Sequence, residues 1–207
     1  TNPRPDYALG IHVWNDQPIG WLGVSSGPVM AASEIFSVTI RGRGGHGAIP
    51  SNTVDPVFAV AEIISALQSI VSRNVHPQKT AVVSVTAIHG GEAFNVIPQF
   101  VEIKGTIRTF EPAVREMVLI NFHRIVEGIA NSLGCKVEIN LQPLTPALIN
   151  DDLVTSVVTQ TANKLWPDAR VDTHFATMGS EDMAFYLMEI PGCFIFIGSA
   201  NPQLGYT

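Results

Sequence analysis

The residues best placed to do chemistry lie in a glycine-rich run, Gly42-Arg43-Gly44-Gly45-His46-Gly47, where small neighbours leave the His46 imidazole free to donate to an external group. Two readings stand for His46: a hydrogen-bond donor acting on a ligand, or an exposed polar residue of a turn. The run also fits GxGxxG, which in a Rossmann unit cradles a pyrophosphate. Such a unit needs a buried parallel strand leading straight into a helix. Here the preceding strand alternates and Pro50 stands before the next helix, so dinucleotide binding ranks last among the readings.

His12 lies inside the apolar run Tyr7 to Trp14 (YALGIHVW), where an unpaired imidazole would cost about 1–3 kcal/mol. It is either a core histidine bonded to backbone or a metal ligand, and neither HExxH nor HxH occurs to supply companions. In Met178-Gly179-Ser180-Glu181-Asp182, Ser180 fits a helix N-cap followed by acids. The other reading makes Gly179 and Ser180 donors to a substrate anion at that N-terminus. Asn95, in a long loop, and Arg108, at the end of the strand that follows, are surface residues or carboxylate binders. Cys135 and Cys193 form no CxxC pair and read as small buried apolar residues. His76, His89, His123 and His174 belong to no constellation, and no arranged Ser, His and Asp marks a serine hydrolase.

The elements that position these residues are clearest between Glu34 and Gln142. Phe36, Val38 and Ile40 alternate with Ser37, Thr39 and Arg41, the period of a half-buried strand. Val57, Val60, Ala61, Ile64, Leu67 and Val71 recur at helical spacing from Asp55 to Ser72, with Pro56 in the first turn. Two alternating runs, Thr80 to Ile88 and Phe100 to Arg108, flank the loop His89 to Gln99, which exceeds an ordinary hairpin connection. A second helix starts near Pro112 and ends at Gly134, and Cys135 to Gln142 alternates again.

Strand, helix, strand, strand, helix, strand is the order of a split βαβ, or ferredoxin-like, unit: a four-stranded antiparallel sheet with two helices on one face. The flanking runs Tyr7 to Trp14 and Gly192 to Gly198 are nearly continuous apolar strands of the kind buried on both faces of a parallel sheet. Helices are expected at about Leu153 to Leu165 and Ser180 to Met188. The expected organisation is therefore an α+β ferredoxin-like lid, residues 34–142, inserted in a partial α/β catalytic domain made of residues 1–33 and 143–207.

The 207 residues carry a formal charge of −6, 46% hydrophobic and 14% charged residues, which excludes a disordered tail and a basic nucleic-acid binder. Soluble domains average about 25% charged residues, so much of the surface is expected to be neutral or to be covered by something outside this sequence. No apolar run reaches the roughly 18 residues of a membrane span, and Thr1 to Gly10 lacks the pattern of a signal peptide. These signs give the expectation of a cytoplasmic protein with neither membrane nor nucleic acid as partner, cut from something longer.

Taken together, ALGIH at Ala8 to His12, GRGGHGAIP at Gly42 to Pro50, AFNVIP at Ala93 to Pro98, GTIRTF at Gly105 to Phe110 and MGSEDM at Met178 to Met183 resemble metal-dependent amidohydrolases of the aminoacylase, hippurate hydrolase and auxin-conjugate hydrolase type. The resemblance implies hydrolysis of the amide bond in N-acyl amino acids or related small amides. It implies two divalent metals per subunit, zinc or manganese with cobalt or nickel as further candidates, and a homodimer formed through the lid. Under it His12 is a metal ligand, and His46 is a catalytic residue that reaches the neighbouring subunit's site and steadies an oxyanion. Asn95, Gly179 and Ser180 bind substrate, and Arg108 is a carboxylate-binding or structural position.

The family's cysteine and histidine ligand segment and its paired glutamates have no counterpart here, and only His12 remains of the metal set. The isolated chain is therefore expected to retain no metals and to be inactive. The alternative is a non-enzymatic dimerising module. In either case the strand Glu34 to Arg41, or another lid edge, is expected to pair across a two-fold axis.

Overall fold

The chain leaves one unit at Ala32, builds a second from Ser33 to Leu144, and returns to the first at Thr145. The computed structural model describes residues 3–205. The first unit opens with β1 (Ala8–Pro18), β2 (Trp21–Gly23) and β3 (Gly27–Met30).

The second unit starts with β4 (Ala32–Arg41), whose alternation sends Phe36, Val38 and Ile40 into the core. A two-residue strand, β5 (Gly45–His46), and a short 3-10 turn at Pro50–Asn52 lead to α1 (Pro56–Ser69). The Asp55 carboxylate caps that helix by accepting from the amides of Val57 and Phe58, with Pro56 in its first turn. A π-helical turn, Ile70–Asn74, extends it. The continuous stretch 56–74 is long and apolar enough to cross a membrane by length and composition, but Ala59, Val60, Ile63, Leu67 and Ile70 are buried in this unit's core.

β6 (Ala81–His89), β7 (Val96–Ile97) and β8 (Phe100–Thr109) follow, then α2 (Pro112–Ser132) and β9 (Lys136–Thr145). The end of α2 is set by Gly134 at φ +74°. Its amide donates to Asn131, and the Cys135 amide donates to Ala130, which is the Schellman closure that a left-handed glycine permits. The sheet order is β6-β8-β4-β9. Both helices pack on it through Val118, Phe122 and Val126 of α2 and the buried stripe of α1, and the Phe36 ring lies 4.7 Å from that of Phe122.

This order corrects one expectation. β4 lies between β8 and β9, so Glu34 to Arg41 is an interior strand with no free edge to offer a second copy. The free edges belong to β6 and β9. At the start of β4, Glu34 is buried and forms an ion pair with Arg115 of α2.

Back in the first unit come β10 (Leu148–Asn150), α3 (Asp152–Leu165), β11 (Arg170–Asp172), α4 (Met183–Leu187) and β12 (Gly192–Ala200). The main sheet runs β1-β12-β2-β11, and β10 pairs separately with β3. Asn150 stitches this region together: its amide donates to the carbonyls of Ser25 and Phe194 and accepts from the Phe194 amide at 2.7 Å. A buried amide satisfied this fully avoids the cost of about 1–3 kcal/mol for an unmet polar group.

The sheet is mixed rather than parallel, since β12 runs antiparallel to β2. β1 is not buried on both faces either. It is an edge strand that alternates, with Leu9, Ile11 and Val13 exposed at 61, 63 and 57%. Gly10, His12 and Trp14 face the other way and are half-buried.

Candidate functional site

Long-range backbone bonds pin the glycine-rich run in place. The Gly42 amide donates to Gln99, Arg43 and Val54 exchange amide-carbonyl bonds, and the Gly47 amide donates to the Asn95 carbonyl at 2.8 Å. β5 pairs antiparallel with β7, Gly45 opposite Ile97 and His46 opposite Val96. Gly44 is required by that approach: a Cβ there would lie 2.6 Å from the Ile97 carbonyl oxygen. The amides a pyrophosphate would need are thus engaged with protein carbonyls, and no helix follows Gly47 directly.

One tip of the second unit therefore carries His46 and Asn95 side by side, both exposed. The Ala48 amide donates to His46 Nδ1 at 3.1 Å. With Nδ1 accepting, the proton of the neutral ring sits on Nε2, which becomes a donor facing solvent. Phe94, the residue before Asn95, is fully exposed.

Arg108 is not part of this tip. It lies eight residues along β8 from Phe100, roughly 25 Å at the rise of an extended strand. Its Nε donates to the Thr106 hydroxyl, which itself donates to the Glu34 carbonyl. The guanidinium is built into the sheet.

In the first unit, His12 sits on β1 opposite Phe196 of β12, with its ring 5.9 Å from Trp14, 6.1 Å from Phe194 and 6.3 Å from Phe196. Its Nδ1 is 2.7 Å from the Val13 carbonyl. Since a carbonyl only accepts, the proton lies on Nδ1 and Nε2 presents a lone pair, the form in which imidazole ligates a metal. The two histidines are thus held in opposite tautomers.

One imidazole does not make a metal centre. Among the described residues no three His, Cys, Asp or Glu side chains converge to hold an ion, so the donors present here do not fit a dinuclear pair. The stretch around Gly179 also departs from the sequence expectation. α4 begins at Met183 with Asp182 at its N-cap and spans five residues, so the N-cap falls two residues after Ser180. The Gly179 amide is engaged by the Thr177 hydroxyl at 3.3 Å and its carbonyl accepts from Ala31.

Burial raises the thiols of Cys135 and Cys193 above their ordinary range, with the Asp55 charge adding to the effect at Cys135 and a hydrogen bond from Thr155 opposing it at Cys193. Neither thiol is exposed.

Residues 35–132 match the peptidase dimerisation domain of the M20 type. The chain is 39% identical over 196 residues to the N-acetylcysteine deacetylase of Bacillus subtilis, covering 94% of this chain and 51% of that protein. It is 34% identical over 200 residues to the hippurate hydrolase of Campylobacter jejuni, covering 95% and 51%. A solved structure of a Bacillus subtilis dinuclear metal-binding peptidase of the M20 family superposes with a TM-score of 0.75 at 32% identity, over 94% of this chain and 48% of that one. The chain spans about half the length of the relatives it matches.

Proposed function

We propose that the chain, whose residues 35–132 match the peptidase dimerisation domain of the M20 type and whose relatives include a deacetylase and a hippurate hydrolase, is the dimerising and C-terminal part of an enzyme that hydrolyses the amide bond of N-acyl amino acids. The second unit is read as a ferredoxin-like lid, a reading supported by the order β6-β8-β4-β9 with both helices in one core. The tip carrying His46 and Asn95 is the observation that carries the functional reading. His46 presents an outward Nε2–H donor fit for an anionic oxygen, and Asn95 offers a side-chain amide beside it.

The dimer is read as pairing through the β6 edge. β6 runs Ala81 to His89 without an acid, a lysine, an arginine or a proline, whereas the β9 edge carries Lys136, Glu138 and Pro143, which discourage strand addition. α1 turns an outer face of Phe58, Ala61 and Ser65 to solvent, with little charge. In this arrangement His46 acts on the substrate of the other subunit.

Under this reading His12, with its Nε2 lone pair, is a metal ligand supplied by this chain. Further ligands for two divalent ions would come from polypeptide outside these 207 residues, and the isolated chain is expected not to turn over amides. The test is steady-state hydrolysis of N-acyl amino acids by the full-length protein beside its His46→Ala variant. A loss of about a hundredfold in kcat with the dimer intact fits one missing oxyanion donor, and unchanged turnover rules the assignment out.

A further inference from the structure

Phe94 is 103% exposed, while no other large apolar side chain among the described residues exceeds the 80% of Leu153. A loose loop is a poor account of it, because the flanking backbone is fixed: Asn95 accepts from the Gly47 amide, Val96 donates to Ala93, and Val96 and Ile97 pair with β5. The ring is thus presented to solvent by an ordered tip, two residues from the register partner of His46. The residues around it continue the apolar character. Ala93, Val96, Pro98 and Phe100, with Glu92, His89 and Gln99 at its polar side, line a neighbouring concavity of about 460 Å³ that Phe94 itself does not line, and Val96 and Phe100 are about half exposed.

We propose that Phe94 is a specificity-determining residue that lies against the acyl group of the substrate, so that the enzyme takes N-acyl amino acids whose acyl group is large and apolar. The inference rests on the amide-hydrolase reading above and goes beyond it by naming the acyl class. On the amine side of the carbonyl an N-acyl amino acid carries a carboxylate, which loses hydration against an aromatic face without gaining a partner. On the acyl side there is no charge, and a ring contact removes apolar surface from water. The polar pair His46 and Asn95 and the apolar Phe94 therefore match the two halves of an acyl group: its oxygen and its hydrocarbon.

The test uses the full-length protein and its Phe94→Ala variant, assayed on N-acetylglycine and N-benzoylglycine, with the dimer followed by sedimentation. Because the side chain makes no packing contribution, the variant is expected to fold with an unchanged melting temperature. The expected result is a fall of about tenfold in kcat/KM for the benzoyl substrate, with the acetyl substrate within about twofold. Phe94→Leu should recover most of the loss. Equal effects on both substrates, or none, overturn the proposal. Conversion of the variant to monomer also overturns it, since Phe94 would then be a subunit contact. Failure of the wild-type protein to hydrolyse either substrate removes the amide-hydrolase reading itself, and the assignment of Phe94 falls with it.

Discussion

The Gly47 amide donates to the Asn95 carbonyl across 2.8 Å, so the loop bearing the imidazole and the loop bearing the side-chain amide are one body. Their spacing depends on backbone, not on side-chain packing. Gly44 makes the approach possible, with no room for a Cβ beside the Ile97 carbonyl. Gly44→Ala should part the two strands and lower kcat/KM of the full-length enzyme by about tenfold or more, since misplacement of about 1 Å costs that much or worse. The measurement is activity beside a melting curve, and full activity would mean the tip tolerates separation.

If His46 serves the other subunit, two defective variants should repair each other. His12→Ala and His46→Ala, each expected to be strongly impaired alone, would form mixed dimers in which one site has both residues intact. At equal mixing with subunit exchange half the dimers are mixed, so activity should return to roughly a quarter of wild type. Recovery of none after proven exchange places His46 in its own subunit's site.

Placing a charge on the outer face of α1 should separate the subunits. Ala61 is exposed within the unit, so Ala61→Arg leaves the core intact while burying an unpaired cation in any interface formed there. Sedimentation equilibrium should show monomer at concentrations where the wild type is a dimer. A dimer of unchanged strength moves the interface elsewhere.

Glu34 is buried against Arg115, whose side chain is 39% exposed. Glu34→Ala leaves the guanidinium without its partner. The expected cost is about 2–3 kcal/mol, below the roughly 3–5 kcal/mol for breaking a fully buried pair because water reaches the arginine. Urea unfolding checks it, and a change under about 0.5 kcal/mol would show the pair to be idle.

The two raised thiols predict an alkaline loss of stability. Burial favours the neutral thiol in the folded state, so the unfolded chain ionises first as pH rises. Their contribution is complete below the unfolded thiol pKa of about 8.5 and declines as pH climbs through the folded values. Unfolding free energy measured from pH 7 to 10 should fall above about pH 8.5, and Cys193→Ser should change the slope. A flat profile would contradict the sign.

Features with a local cause were legible in the sequence. Phe36, Val38 and Ile40 announce β4 because one face is dry and the other wet, and Gly134 announces the end of α2 because the left-handed closure needs it. Features with a long-range cause were not. That β4 is interior depends on how four strands sort themselves, and nothing within Glu34 to Arg41 encodes it. Ser180 looks like a cap in isolation, but α4 starts later, at Met183, with Asp182 as its N-cap. His46 and Asn95 stand out singly by loop position, while their adjacency comes from a cross-loop pairing of two residues a side, too short to leave a pattern. Phe94 carries no such signal, because an apolar residue in a loop breaks no periodicity.

The strip formed by Leu9, Ile11 and Val13 on the outermost strand β1 governs how this polypeptide must be handled. A wet row of branched side chains beside an unpaired backbone edge is a landing place for chaperones and for misassembled copies alike. Expressed alone, the chain will bind hydrophobic dyes in its native state and lose solubility as it is concentrated, so its purification calls for dilute, low-salt conditions.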